Sequence, residues 1–179
     1  MRLDAPLVGR RVSLREHVES DLDAYHAWRG DRAVMRFLSW RSRSREQSRA
    51  SLADAIAEQS RADRTKCFLA VERLADGAIA GDVGLDLRED GEVGIGWFLL
   101  PGFQGEGIAT EAAGLLIRFA FERLGFRAVV ASCDSENRAS SRVMRKLGMT
   151  KVTEHPRESR TATRLHYRLE SGNGDRPRF

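Results

Sequence analysis

The most constraining feature of this chain is a glycine-rich segment, Gly91 to Gly114, that joins an apolar run to an amphipathic one. The apolar run, Val93 to Leu100, is short and rich in aromatic and β-branched residues, which predicts a buried strand. From Thr110 onward, apolar residues recur every three or four positions as far as Leu124. This spacing predicts a helix, and Gly125 just beyond it is a natural stop.

The turn between the strand and the helix, residues 104–109, reads Gln-Gly-Glu-Gly-Ile-Ala. A glycine-rich turn that leads into a helix aims unpaired backbone N–H groups at one point, where the helix dipole adds partial positive charge. Such a point binds phosphate. No Lys-Ser or Lys-Thr follows as in a nucleotide P-loop, and no third glycine follows Gly105 and Gly107 at the dinucleotide spacing. The turn predicts a diphosphate site of another type; the alternative is a tight turn that needs glycine for steric reasons alone.

The remaining pattern predicts an α+β chain with a mixed sheet and helices on its faces. Strands are predicted at 7–15, 67–71, 78–87, 93–100, 128–133, 150–154 and 165–169, and helices after Ser20 or Asp21, at 33–38, from the Ser44 capping box to about 61, from Thr110 and at 137–147. Asp76-Gly77 and Asp90-Gly91 are hairpin turns, so the three strands before the glycine-rich turn are antiparallel. We expect one domain over residues 1–170 and a disordered polar tail at 171–179.

Composition excludes several classes of function. The net charge is +4 and the sequence pI is about 9.6, but the basic residues are scattered except at residues 41–45 and 176–178. No aromatic residues interleave with the basic cluster as a stacking platform would need, so nucleic acid is not a predicted partner. Apolar runs are too short to span a membrane and the N-terminus lacks a signal-peptide core, so we expect no membrane association and a cytoplasmic location. Cys67 and Cys133 lie in apolar runs and are predicted to be buried free thiols. The histidines have no ligand spacing, so no metal is predicted.

Three motifs stand in order along the chain: the pattern Leu-x-Gly-x-Arg-Val-x-Leu-Arg over residues 7–15, Gln104-x-x-Gly107-x-Ala109, and the segment 137–149 that begins Asn-x-x-Ser and ends Lys-Leu-Gly-Met. The second is similar to the Arg/Gln-x-x-Gly-x-Gly/Ala acetyl-coenzyme A signature of the GNAT N-acetyltransferases. The first and third resemble the RimJ/RimL branch, which acetylates the N-termini of ribosomal proteins. The resemblance covers about residues 7–154.

The resemblance implies the GNAT fold: a mixed central β-sheet of about six to seven strands flanked by helices, splayed between the strand ending near Leu99 and the strand Ala128–Cys133. It implies acetyl-coenzyme A as co-substrate, with the diphosphate at the glycine-rich turn and the pantetheine arm along the splayed strand edge. A strand N–H near Phe98 or Leu99 would polarise the thioester carbonyl. The implied cofactor-binding residues are Trp97, Phe98, Leu99, Gln104, Gly105, Gly107, Ile108, Ala109, Thr110, Asn137 and Ser140. For Asn137 and Ser140 the alternative is plain helix capping.

Transfer by direct attack also needs an acid for the leaving thiolate. Many relatives carry a tyrosine seven residues after the motif asparagine, but this chain has Met144 there, which cannot donate a proton. In the RimJ/RimL branch a serine on the same helix is the usual substitute. Ser140 or Ser141 is therefore the predicted acid, and the resemblance leaves both open.

The base that receives the amine proton is also open. Glu92 stands on the strand face of Gly94, where the branch often has a glutamate, and it is the first candidate; its alternative is a solvated strand end. Asp82 and Asp86 on the neighbouring strand are further candidates. Glu111 is a family match whose alternative role is to stabilise the helix dipole.

The acceptor implied by the resemblance is the α-amine of a protein, peptide or amino acid. Residues 28–49 carry seven arginines against Asp31 and Glu46, a balance that disfavours a polycation. We expect the acceptor wall to come from residues 28–40, the helix after Ser44 and the closing hairpin, in a monomer or homodimer. The alternatives are a small-molecule amine, such as a polyamine or an antibiotic, and a non-catalytic domain that binds an acyl-coenzyme A.

Overall fold

The computed structural model describes residues 3–37, 43–88, 91–156 and 163–172 and shows a mixed eight-stranded sheet in the order β1-β2-β3-β4-β5-β6-β8-β7. The strands are β1 (Leu7–Val8), β2 (Val12–Glu16), β3 (Lys66–Arg73), β4 (Ile79–Leu87), β5 (Val93–Leu99), β6 (Ala128–Asp134), β7 (Thr150–Pro156) and β8 (Thr163–Glu170). The helices are α1 (Leu22–Gly30), α2 (Arg32–Met35), α3 (Arg45–Glu58), α4 (Ile108–Glu122) and α5 (Arg138–Lys146), with 3₁₀ turns at Glu19–Asp21 and Pro101–Phe103. The α+β class and the GNAT fold predicted from the sequence are confirmed.

The sheet has eight strands because the predicted first strand over residues 7–15 is in fact a hairpin. The N–H of Gly9 donates to the carbonyl of Val12 at 2.8 Å, and β1 then pairs with β2 in antiparallel register. Only two residues, Leu7 and Val8, precede the turn at Gly9, and so short a run shows no period of its own. The estimate of six to seven strands was low by this one division.

Helix α4 crosses one face of the sheet and fills most of the core. It begins at Ile108, two residues before the predicted start, because Gly107 occupies the N-cap with a φ of 84°. The helix ends at Glu122 rather than Leu124, and Gly125 follows with a φ of 72°. Helix α5 lies on the same face beside α4, and together they cover the apolar side chains of the central strands.

The opposite face is covered by α1 and α3, which form a smaller core of their own from Leu22, Tyr25, Trp28 and Leu52. Helix α3 begins at the predicted capping box, in which the Ser44 hydroxyl accepts from the N–H of Gln47. Its thin apolar stripe explains why only one face of α3 is buried.

The splay predicted between β5 and β6 is present. The two parallel strands pair only where Val93 faces Val129 and Gly94 faces Val130, so they separate towards Leu99 and Asp134. On its other side β6 pairs with β8 over its whole length. The sheet therefore has a wedge that is closed near Gly94 and open at the ends of β5 and β6.

The structure also bears on the predictions about the cysteines, membrane spans, the second hairpin turn and the tail. Cys67 and Cys133 are both buried and free, as predicted. None of the helices in the described ranges is long and apolar enough to cross a membrane. The predicted turn at Asp90 and the tail beyond residue 172 lie outside the described residues.

Candidate active site

The glycine-rich turn presents a row of unpaired donors at the mouth of the wedge. The N–H of Gln104 donates to Pro101 and that of Glu111 donates to Gly107. The N–H groups of residues 105 to 110, which lie between these two donors, have no backbone acceptor within the described ranges. These residues are the first turn of α4 and the loop before it, where a helix leaves its N–H groups free for an anion.

Two glycines keep this turn open. Gly105 and Gly107 have φ angles of 88° and 84°, which other residues adopt only with strain. A Cβ built on either glycine would find no atom within 4 Å. The space beside the Cα atoms of both glycines is therefore open, which suits close approach of a diphosphate to this backbone.

The edge of β5 that faces the wedge can be assigned from the hydrogen bonds of its other edge. The N–H of Leu100 donates to Ala80 on β4 at 3.0 Å, so by antiparallel alternation Phe98 and Gly96 also face β4. The main-chain groups of Trp97 and Leu99 then face the wedge. Of the two predicted oxyanion donors, Phe98 and Leu99, the strand geometry turns the N–H of Leu99 towards the open side.

Gln104 joins the end of β5 to the turn. Its side-chain Nε2 donates to the carbonyl of Leu99 at 3.0 Å. Gly81 on β4 allows the end of β5 to approach closely, because a Cβ at position 81 would lie 1.9 Å from the carbonyl oxygen of Phe98. The motif glutamine thus contributes its side chain to the shape of the wedge, in addition to its predicted main-chain role.

Helix α5 borders the wedge from the side of β6. The side-chain oxygen of Asn137 caps the helix by accepting from the N–H of Ser140 at 3.1 Å, so the capping alternative is present in the structure. The Ser141 hydroxyl lies 2.7 Å from the hydroxyl of Tyr167 on β8. Met144, which replaces the usual tyrosine, is buried in the core. The chain therefore has a tyrosine hydroxyl beside α5 after all, supplied by β8.

Glu111 ties α4 to the first hairpin. Its carboxylate accepts from the N–H groups of Arg10 and Arg11, the latter at 2.7 Å, and from the Arg11 guanidinium. Although burial opposes the charge, these hydrogen bonds lower the pKa of Glu111. A cofactor role for Glu111 has no support in this geometry, since its carboxylate is occupied by the turn at Gly9.

Of the predicted bases, Glu92 lies next to the closed end of the wedge. Its carboxylate accepts from Arg168 on β8 at 2.7 Å. Asp86 is exposed near the same end of the sheet, opposite Gly94. Asp82 is different, since it is buried and sits opposite Phe98, on the part of β5 that has separated from β6.

Asp82 belongs to a buried chain of alternating charges. One of its carboxylate oxygens lies 3.0 Å from His17 Nε2, and His17 Nδ1 lies 3.5 Å from Asp21. Asp21 in turn accepts two hydrogen bonds of 2.8 Å from Arg15. The second oxygen of Asp82 has no hydrogen-bond partner in the described structure.

The electrostatics of this row of charged side chains favour a protonated His17. Burial disfavours the imidazolium, but the neighbouring carboxylates of Asp21 and Asp82 outweigh it and raise the pKa of His17 to about 9. Burial likewise opposes charge on Asp21, yet its hydrogen bonds with Arg15 and the nearby His17 imidazolium lower the pKa of that carboxyl. Each cation of the array therefore faces carboxylates: Arg15 faces Asp21 and Glu72, and His17 faces Asp82 and Asp21.

Aromatic side chains connect this array to the wedge. The rings of Trp28 and Phe98 stack with centroids 5.0 Å apart and planes within 5°. Tyr25 meets Trp28 and His17 edge-on, at 5.4 and 5.2 Å. Helix α1 therefore forms an aromatic wall over β5 on the face opposite α4. Trp40, which the sequence also suggested for the acceptor wall, lies outside the described residues.

Sequence reasoning missed Tyr167, His17 and Asp21. Tyr167 lies on the same face of β8 as Leu165 and Leu169, and this spacing indicates a core position. Only the structure shows that its hydroxyl contacts Ser141. His17 and Asp21 stand four residues apart and carry a recognisable pair of polar types, but nothing in the sequence links them to Asp82, 61 residues after Asp21. No group of three or more possible metal ligands occurs among the residues that the structure describes.

Comparison with known proteins identifies the class. The family described as an acetyltransferase (GNAT) domain matches residues 11–150. An uncharacterized N-acetyltransferase, YnaD of Bacillus subtilis (strain 168), is 27% identical over 140 residues, which cover 78% of this chain and 79% of YnaD. The chain belongs to the GNAT acetyltransferase family, and the protein is an enzyme of the N-acetyltransferase type.

Solved structures support the same fold. RimL, a ribosomal L7/L12 α-N-protein acetyltransferase solved with coenzyme A, matches with a TM-score of 0.81 at 21% identity, over 93% of this chain and 98% of RimL. MccE, a microcin C7 self-immunity acetyltransferase solved with acetyl-CoA and AMP, matches with a TM-score of 0.79 at 16% identity, over 91% and 94%. These two proteins differ in what they act on, so the fold alone does not fix the acceptor.

Proposed function

We propose that this enzyme transfers the acetyl group of acetyl-coenzyme A to the primary amine of a peptide, protein N-terminus or amino acid, as a member of the RimJ/RimL branch. The observation that carries the proposal is the wedge between β5 and β6, which ends at the open row of N–H groups over residues 105–110. The likeness of the fold to RimL, which is named for a protein α-amine, supports the branch.

The residues present fit the co-substrate. Donors at the glycine-rich turn suit the diphosphate, and the open space at Gly105 and Gly107 admits it. The free edge of β5 at Trp97 and Leu99 suits the amide-containing pantetheine arm, which can pair like a strand. Acetyl-coenzyme A supplies a thioester as the acetyl donor, and the Leu99 N–H can stabilise negative charge that develops on its carbonyl oxygen.

For the acid, the hydrogen bond with Tyr167 favours Ser141 over Ser140. Ser141 can pass its proton to the departing thiolate and be held in position by the Tyr167 hydroxyl, 2.7 Å away. Ser140 is half-buried on the same helix, and its N–H is already bound by Asn137. Ser140 stays the alternative that the motif predicts.

For the base, the unpartnered oxygen of Asp82 favours this carboxylate over Glu92. An amine above Phe98 can give its proton to Asp82 directly or through one water, with His17 holding the other oxygen. Glu92 has its charge balanced by Arg168 at the closed end of the wedge. The variants Asp82→Asn and Glu92→Gln distinguish these two candidate bases. The variant that removes the true base should lose the pH-dependent limb of kcat/KM, and the other variant should keep it.

The decisive experiment is a thiol-release screen with acetyl-coenzyme A over N-terminal peptides, amino acids, polyamines and aminoglycosides. We expect the highest kcat/KM with a peptide or amino acid. A polyamine or aminoglycoside that is turned over far faster than every peptide would assign the enzyme to small-molecule amines instead. Calorimetric binding of acetyl-coenzyme A without turnover of any amine would favour a non-catalytic binding domain.

A further inference from the structure

The charged side chains on the α1 side of the wedge differ in how they are paired. Arg15 pairs with Asp21 and Glu72, and His17 pairs with Asp82. Arg29 on α1 lies among them and has no ion pair in the described part of the chain. Its Nε is buried and finds no hydrogen-bond acceptor. An unpaired, half-buried guanidinium is costly unless a ligand completes it.

The position of Arg29 is that of a wall residue of the active site. Its guanidinium carbon lies 4.3 Å from the ring centroid of Tyr25 and 4.4 Å from that of Trp28. Because Trp28 stacks on Phe98, the guanidinium stands one aromatic ring away from the strand that borders the wedge. The two rings hold the guanidinium plane in place without using its N–H donors.

The surroundings of Arg29 compensate its positive charge only in part. Burial lowers the pKa of Arg29, and the nearby Arg43 lowers it further, while Tyr25 and Asp82 oppose these effects. Arginine remains charged even after such a shift, because its ordinary pKa is above 12. Asp82 is already bound by His17. Arg43 is a second cation near Arg29 and adds positive potential around it.

The same segment reaches the open end of the wedge. Beyond α1, Arg36 lies 3.9 Å from Glu136, which stands in the loop between β6 and α5. The α1–α2 segment thus extends from the aromatic wall over β5 to the strand on the other side of the wedge. An acceptor that enters the wedge at this open end would come close to the N–H groups of the Arg29 guanidinium.

We propose that Arg29 binds a carboxylate of the acceptor, so that the enzyme selects amines that carry a carboxylate near the reacting nitrogen. Nε and one terminal nitrogen of a guanidinium form a fork that matches a carboxylate with two hydrogen bonds. Two sources have this chemistry: the α-carboxylate of a free amino acid and the acidic side chain of a peptide N-terminus. The inference rests on the proposed acetyl transfer and narrows its acceptor.

The test uses two matched pairs of acceptors in the thiol-release assay. One pair is an amino acid and its amide; the other is a peptide that begins with Asp and the same peptide that begins with Asn. In the wild-type enzyme we expect kcat/KM to favour the carboxylate in at least one pair by about tenfold to a hundredfold, the range for hydrogen bonds to a charged group. The pair that responds identifies the source of the carboxylate.

Variants then assign the preference to Arg29. Arg29→Gln should raise KM for the carboxylate acceptor to that of its amide, with kcat and the affinity for acetyl-coenzyme A little changed. Arg29→Lys should keep part of the preference, since it retains the charge without the fork. Arg118→Gln is the matched control, because Arg118 is an exposed arginine on α4 across the sheet, and it should leave both pairs unchanged.

The outcomes separate the inference from the function beneath it. If the wild-type enzyme acetylates both members of each pair equally, or if Arg29→Gln slows both members alike, Arg29 only supports α1 and the inference is wrong while acetyl transfer stands. If no amine is turned over although acetyl-coenzyme A binds, the proposed function itself fails. If Arg29→Gln does not fold, loss of part of the preference in Arg29→Lys decides between the first two outcomes.

Discussion

The two sides of the active site are built from different parts of the chain. The cofactor side, defined as the free edge of β5, the turn 104–110 and the start of α5, uses mainly backbone groups within two short motifs. The proposed acceptor side, defined as α1 with His17 and Asp82, uses side chains from α1, from β4 and from the residue that follows β2, and these meet only in the fold. Backbone recognition requires glycines at fixed positions and is visible in the sequence, whereas a side-chain site assembled across strands is not.

The largest expected effect tests whether the turn acts through its backbone. Gly107→Val should reduce acetyl-coenzyme A affinity by at least about a hundredfold, because a side chain there fills the open space and strains the positive φ. Gly77→Val is the control, since Gly77 also has a positive φ of 71° and open surroundings but lies in the β3–β4 turn. Both variants should lose a similar stability, about 1–2 kcal/mol. Calorimetry that shows equal affinities in the two variants would remove the site from this turn.

The second prediction concerns the acceptor side and its buried histidine. The pKa of His17 in the folded protein is about 9, above the ordinary value of 6.5. A raised pKa stabilises the fold fully below pH 6.5, and this contribution is lost as pH rises through 9. The free energy of unfolding should therefore fall by about 3 kcal/mol between pH 6 and pH 9. Denaturant titrations at several pH values measure it.

The control for this prediction is His17→Gln, which cannot titrate. Its free energy of unfolding should be lower at pH 6 and nearly flat up to pH 9, because Asp21 and Asp82 lose their cationic partner at every pH. A wild-type profile as flat as that of the variant would mean that His17 is neutral in the folded protein. The cofactor side contains no such buried pair among the described residues, so acetyl-coenzyme A affinity should not follow the same curve.

The contrast between the two sides also explains what could be predicted. The mixed sheet with helices on its faces and the glycine-rich turn followed from local patterns, because strands and a helix N-terminus are defined by their own residues. The GNAT fold and the splay came from the resemblance of three motifs in order. The division of the first strand at Gly9 was missed, since the two residues of β1, Leu7 and Val8, are too few to show a period. Tyr167 was missed because its partner Ser141 lies 26 residues away. Contacts of this kind depend on strand order, which no local pattern encodes.

The third prediction sharpens the role of the serines where the two sides meet. Ser141→Ala and Tyr167→Phe should each lower kcat about tenfold or more, because either change removes one partner of the hydroxyl pair. Ser140→Ala should have a smaller effect if Ser141 is the acid. Thiol release measured against pH, with acetyl-coenzyme A affinity as a separate readout, distinguishes loss of a proton donor from loss of binding. The opposite order, with Ser140→Ala the slower enzyme, would restore the assignment suggested by the motif.

The smallest expected effect separates capping from cofactor binding at Asn137. Asn137 and Ser44 both cap a helix through a side-chain oxygen: Asn137 caps α5 on the cofactor side, and Ser44 caps α3, which packs against α1. Replacing either residue with alanine should cost about 1 kcal/mol of stability, the usual value for a lost N-cap. If Asn137 also contacts the cofactor, only Asn137→Ala should weaken acetyl-coenzyme A binding, by several-fold at matched stability. If both variants bind alike, the resemblance at Asn137 reflects the start of a helix, and recognition on this side is left to the backbone of β5 and the glycine-rich turn.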